Sequence, residues 1–177
     1  CPELGASLAS RGATGLQAVK ELGMAMQVAR KYSGTNEEAA RNAANWFSHM
    51  TAGATVKHFG DVGIDYQSEL MKRMREQKIS ALQASLQVTD AYIDKVSAGQ
   101  TIAVKDGKKT KQLSFREALD AAKASGNETE IKSVVERFGL SKVFQDMQTV
   151  NFYMAMRQGK DMFKQGMATF DTAEAKG

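Results

Sequence analysis

From Leu16 onward, apolar stripes at helical spacing alternate with short turns rich in Gly, Ser, Thr and Asn. Leu16, Val19, Leu22, Met26 and Ala29 recur at intervals of three and four, which predicts a helix that stops before Gly34. Ahead of it, Leu4, Leu8 and the small-residue turn RGATG (Arg11 to Gly15) predict a short helix and a loop. In TNEEAARNAANWFSHM, Thr35 and Glu38 have the spacing of a capping box, in which each side chain satisfies a free backbone donor of the first turn. Ala39, Ala43, Trp46, Phe47 and Met50 then form an apolar stripe.

The pattern continues through the rest of the chain. AGATVKHFGDVGID reads as a short helix stopping at Gly60 and a loop to Asp65, and ELMKRMREQ as a helix that breaks near Ile79. Ser80 with Gln83 starts another helix, carried by Leu82, Leu86, Tyr92, Ile93 and Val96 toward Gly99. Ser114 with Glu117 and Asn127 with Glu130 open two more, separated by Gly126, and Gly139 closes the second. Ser141 is expected to cap a helix through about Met156, and a last helix to run from Gly159 to Phe170. TIAVKDGKKTKQLS alone has strand character, and its Asp106-Gly107 pair suits a type I′ turn. The expected fold is all-α: a compact bundle of about eight short-to-medium helices with a small β-hairpin arm near 101–113. Residues 1–171 form one helical domain in this reading, 97–113 a basic insertion or arm, and 172–177 a flexible tail.

Composition narrows the class. With 42% hydrophobic and 25% charged residues the chain is not of a disordered type. One proline among 177 residues, with abundant Ala, Met, Gln, Lys and Glu, favours helix. The one cysteine, Cys1, excludes an intrachain disulfide framework and a thiolate metal cluster. Cys1-Pro2 opens the chain without an initiator Met, which reads as a piece of a longer protein. No apolar run approaches the roughly 18–20 residues that span a bilayer. The net charge of +4 is mild and its Lys and Arg are interspersed with acids, so it disfavours nucleic acid as the main partner.

Candidate chemistry is sparse. His49 and His58 lack the i, i+4 spacing of a helical zinc pair and read as structural or surface residues. Glu37 and Glu38 sit in a first helical turn, where carboxylates suit the helix dipole. Glu69, Glu76, Asp90 and Asp94 lie on helices rich in Lys and Arg, where solvated faces are the default. RGATG and GDVG have the wrong glycine spacing for a phosphate loop. No catalytic, cofactor-binding or metal-binding set emerges, and no small-molecule substrate is indicated. Two stretches remain as contact candidates. Lys105, Lys108, Lys109 and Lys111 form the densest basic run, and lack the interleaved aromatics of a nucleic-acid surface. Phe144, Met147, Val150 and Met154 form a nearly uncharged seam that suits core packing or a partner-docking face, methionine being adaptable at both.

The order of the segments resembles a known family. LGASLASRGATGLQAVKELGMAMQVARKYSGTNEEAARNAANWFSHMTAGATVKHFGDVGID is similar to the helical region of phage tail tape measure proteins. A helix ending in a small-residue turn leads there to an acidic-capped, Ala-rich helix with a bulky apolar pair, here Trp46 and Phe47, and then to a Gly-hydrophobic-Asp loop, here Gly63-Ile64-Asp65. The resemblance returns at VVERFGLSKVFQDMQTVNFYMA, with its Phe138-Gly139 step. It covers most of Leu4 to Val96 and of Ser114 to Phe170, and it departs at Ser97 to Leu113. It implies a non-enzymatic structural module that takes part in tail length determination and tube assembly. Its implied partners are tube, baseplate and tail assembly chaperone proteins, with self-association a further option. Its implied location is the virion tail, and the host bacterial cytoplasm during assembly. The alternative is a peptidoglycan-degrading domain tied to a tail protein, which needs a cleft with a raised-pKa glutamate; Glu69, Glu76 and Glu136 are its first candidates.

Overall fold

The computed structural model describes residues 15–176, with side chains placed at 16 and 19–169. The short helix and loop expected over residues 4–14 lie outside them. Nine helices are formed among the described residues: α1 (Gly15–Ser33), α2 (Asn36–Met50), α3 (Gly53–Asp61), α4 (Tyr66–Gln77), α5 (Ala81–Val96), α6 (Phe115–Ser125), α7 (Glu128–Arg137), α8 (Met147–Gln158) and α9 (Lys160–Lys176). An antiparallel hairpin, β1 (Ile102–Asp106) and β2 (Lys109–Leu113), stands between α5 and α6. The fold is the expected all-α bundle with a small β arm.

The helix starts are local chemistry. Ser80 and Ser114 each accept from the backbone N–H three residues on, while the Gln83 and Glu117 side chains reach back to the cap nitrogen, completing two capping boxes. At α2 half of the expected box forms: Thr35 accepts from the Glu38 N–H at 3.1 Å, without the return bond. Asn127 likewise caps α7 by accepting from Thr129 N–H at 2.9 Å, and the Glu130 carboxylate instead accepts from Ser125 Oγ at 2.8 Å.

Three expectations change. The helix expected from Ser141 begins at Met147, capped by Asp146, whose carboxylate accepts from both the N–H and the hydroxyl of Thr149 at 2.7 and 2.8 Å. Residues 140–144 are instead held in turns, with Val143 and Phe144 N–H both donating to the Leu140 carbonyl. A cap that accepts twice from Thr149 is the stronger start signal. In the hairpin, Asp106 pairs with Lys109, so the two turn residues are Gly107 and Lys108 rather than Asp106 and Gly107. Gly107 alone has positive φ (66°), which is the type II′ pattern and not the expected type I′. The final helix, finally, extends in its backbone past the expected end at Phe170 to Lys176.

The buried apolar side chains form one cluster. At its centre is α8, which buries Val150, Phe152, Tyr153, Met154 and Met156, on every side of the helix rather than one stripe. α1 and α2 pack on α8 and on each other, α4 pairs with α5, and α6 with α7. Trp46 ties α2 to α5 and α8: its indole N–H donates to Ser85 Oγ of α5 at 3.0 Å, and its ring lies 5.6 Å from that of Phe152 on α8. Phe59 joins Tyr66 and Tyr92, each at 4.8 Å between ring centroids, which fastens α3 to α4 and α5. Phe115, Phe138, Phe144 and Tyr153 form a third aromatic group linking α6, α7 and α8.

Small residues set the closest approaches. A Cβ at Gly159 would stand 2.3 Å from Val28 Cγ1 and 2.8 Å from Tyr32, so α1 can reach the α8–α9 junction only because position 159 is glycine. Gly60, near the end of α3, has open space around its Cα. Gly159→Ala is therefore expected to destabilise the fold by about 1–3 kcal/mol through overpacking. Gly60→Ala should stabilise it by about 0.4–1 kcal/mol through loss of unfolded-state freedom. Urea denaturation of the two variants beside the parent chain checks both signs.

Candidate functional site

On α5, Leu86 and Gln87 lie three and four positions after Gln83 and four and three before Asp90, and Asp94 lies four further on, so the five share one face of the helix. That face forms one wall of a groove of about 660 Å³. Arg116 at the start of α6 closes one side, and Tyr153, Met156 and Arg157 of α8 with Lys160, Phe163 and Lys164 of α9 form the opposite wall. The bottom is apolar. Met156 and Phe163 are each 4% exposed, and Ile79 and Leu86 are half-buried and pack on the core. At the α4–α5 end, Gln77 and Gln87 exchange amide hydrogen bonds at 3.0 and 2.8 Å, and Arg73 also donates to the Gln87 oxygen at 3.1 Å.

A charged network crosses the other end. Tyr153 Oη donates to Asp90 Oδ1 at 2.7 Å, and Arg116 Nε donates to Tyr153 Oη at 3.2 Å. Arg116 also donates through Nη2 to Asp90 at 3.1 Å and through Nη1 to Asp94 at 2.8 Å. Burial and the adjacent Asp90 carboxylate push the Tyr153 phenol above its ordinary range, so it stays protonated and donating. Burial works against the Arg116 charge, but hydrogen bonds with Asp94, Tyr153 and Asp90 outweigh it and hold its pKa above the usual value. Arg157 is engaged separately by Asp120 at 2.6 Å. Each of these four residues bonds at least one other, which makes the network a clamp between α5, α6 and α8.

The seam residues lie deeper than a surface face. Phe144 and Val150 are buried and, with the half-buried Met147, line a second cleft of about 250 Å³ between α7 and the start of α8. Met154 is buried and lines neither cleft. Lys105, Lys108, Lys109 and Lys111 are all exposed on the hairpin. Lys111 pairs with Asp106 at 3.0 Å, and the other three form no salt bridge among the described residues. The hairpin is anchored at its base, where Ile102 and Leu113 pair and pack on the core.

The remaining sequence candidates are placed as follows. His49 is half-buried beside the Trp46 ring, with Nδ1 3.3 Å from Thr55 Oγ1. Burial lowers its pKa, opposed by Asp146 and assisted by His58. Among the described residues no group of three His, Cys, Asp or Glu side chains could hold a metal ion. Glu69 is paired with Arg73 on its own helix, Glu76 is exposed, and Glu136 is exposed at the rim of the smaller cleft. The carboxyl that burial does raise, to about 7, is Glu21 on α1, 4% exposed with Oε1 unpartnered, and it lines neither cleft. The raised glutamate that a lytic site requires is thus absent from both grooves, and the peptidoglycan-degrading alternative has no support. Among the described residues no helix is long and apolar enough to cross a membrane.

Fold and groove together define an all-α module with a clamped, mixed-polarity groove and a basic hairpin arm. Over 174 residues, 98% of its length, the chain is 34% identical to a probable tape measure protein of the Burkholderia phage BcepMu. The chain spans 19% of that protein's length. No family model matches the chain, and no solved structure matches it significantly.

The buried Glu21 gives the fold a pH dependence whose sign follows from linkage. Its folded pKa is raised from 4.5 to about 7, so below the lower value both states are protonated and the carboxyl costs nothing. Between the two values the unfolded chain gives up the proton while the folded chain keeps it, and stability falls as pH rises. The loss is at most about 3 kcal/mol by pH 8. Urea midpoints at pH 5 and pH 8 should differ by this component in the parent chain and lose it in Glu21→Gln.

Proposed function

We propose that this chain is a folded structural module of a phage tail tape measure protein. It acts in tail length determination and tube assembly, in the virion tail and, during assembly, in the host bacterial cytoplasm. The observation that carries this reading is the 34% identity maintained over 98% of the chain, which no short shared helix would produce. The chemistry is consistent with it. In the larger groove Asp90, Asp94, Arg116 and Tyr153 are bonded to one another as a link between helices. The module works through its surfaces. Lys105, Lys108, Lys109 and Lys111 on the hairpin arm offer contacts to an acidic face of a tail protein, and Phe144, Met147 and Val150 can meet a partner through the small cleft they line.

A long tape sets length by its own extension, at about 1.5 Å per residue for an α-helix. In-frame deletion of helical sequence elsewhere in the parent gene should therefore shorten tails, measured by electron microscopy, by roughly that amount per residue removed. Tails of unchanged length would overturn the tape measure reading.

A further inference from the structure

Two charges in the larger groove are unspent. Lys160 and Lys164, one turn apart on α9, form no salt bridge among the described residues. The other two cations of the groove are committed, Arg116 to Asp90 and Asp94, and Arg157 to Asp120. The groove is therefore positive along its α9 edge and apolar at its floor; its α5 wall is polar and uncharged at Gln83 and Gln87 and carries carboxylates only at Asp90 and Asp94, the end held by Arg116. Its α5 wall, from Gln83 to Asp94, runs about 16 Å at the helical rise, or three turns. A volume of about 660 Å³ is too small to swallow a helix, and suits the side chains of one helical face laid along it.

We propose that this groove docks an amphipathic helix of a partner protein, about three turns long. Its apolar side chains at i, i+3 or i+4, and i+7 would rest on the half-buried Ile79 and Leu86, beneath which Met156 and Phe163 lie, and its acidic flank would face Lys160 and Lys164. Charge complementarity selects the acidic flank, because a basic helix would bring further cations against two uncompensated ammonium groups. The same groove is a poor seat for a nucleic acid strand, which needs exposed rings to stack on; Phe163 is 4% exposed and Tyr153 2%. The proposal does not depend on the tape measure reading, since it rests on the groove alone.

The test uses the full 177-residue chain with methyl-labelled methionine. Two synthetic peptides share one leucine spacing, and one carries Glu and the other Lys along the flank. Met156 reports on the groove, and Met71, 52% exposed on α4 and outside the groove lining, reports non-specific adsorption. The Glu peptide should shift the Met156 methyl saturably and leave Met71 in place. Affinity should fall about tenfold for the Lys peptide, and by a similar factor for the Glu peptide on the Lys160→Glu, Lys164→Glu double variant, both substitutions lying on the exposed side of α9. The unchanged methyl spectrum of the free double variant would confirm that it is folded. Any of four results overturns the proposal: no saturable shift, equal affinity for both peptides, unchanged affinity in the folded double variant, or parallel shifts at Met71. A single-stranded oligodeoxynucleotide that moves Met156 where the Glu peptide does not would also overturn it.

Discussion

A tryptophan can be fully enclosed only if its indole N–H finds an acceptor, and in this chain that acceptor is Ser85. Trp46 is 1% exposed, and leaving its N–H unpaired there would cost about 1–3 kcal/mol. Ser85, fully buried on α5, accepts it and donates its own O–H to the Leu82 carbonyl at 2.7 Å. This bond joins α2 to α5 at one register, because sliding either helix by a residue would turn the partner away. The face of Trp46 then sets the position of Phe152 and with it the central helix α8. The two aromatic groups at either side fill in around that frame.

The groove follows from the same arrangement. α5 is held from beneath by Trp46 and from one end by the Tyr153–Asp90–Arg116 clamp, so its outward face stands apart from α8 and α9 without collapsing onto them. A clamp of charged groups that are partly exposed adds little net stability, since exposed ion pairs contribute about 0–1 kcal/mol. Its effect is geometric: the Arg116 guanidinium holds two carboxylates and a phenol together and closes that side of the groove. Glycine at 159 performs the complementary task behind it, letting α1 lie close enough to α8 and α9 to support the far wall.

Much of this was legible in the residues. Serine caps at 80 and 114 begin helices where their spacing with Gln83 and Glu117 says they should, because capping involves four consecutive residues and no tertiary partner. The stripe of α2 and the glycine stops after α6 and α7 were readable for the same reason. Where two local signals compete, a short window is less decisive. Ser141 and Asp146 both look like caps, and Asp146 prevails because Thr149 offers its carboxylate two donors while Leu140 draws residues 143 and 144 into a turn. The hairpin was visible, but its turn moved by one residue, since the cross-strand register is settled by the whole ladder, including Ile102 against Leu113, rather than by the Asp-Gly pair.

The groove was not legible. Asp90 and Asp94 read as solvated helix residues, and nothing in their neighbourhood points to Arg116 or to Tyr153, 63 positions away from Asp90. Phe144, Val150 and Met154 stood out as an uncharged seam, yet whether such a seam is core or contact depends on what other helices lie against it, and here they are buried. The sequence by itself determined the helical class, most of the helix starts and stops, and the exposed basic arm, because these depend on hydrogen bonds and periodicities within a few residues. Only the tertiary structure decided which polar groups neutralise one another and which, like Lys160 and Lys164, are left to face outward, because that accounting is made between helices distant in the chain.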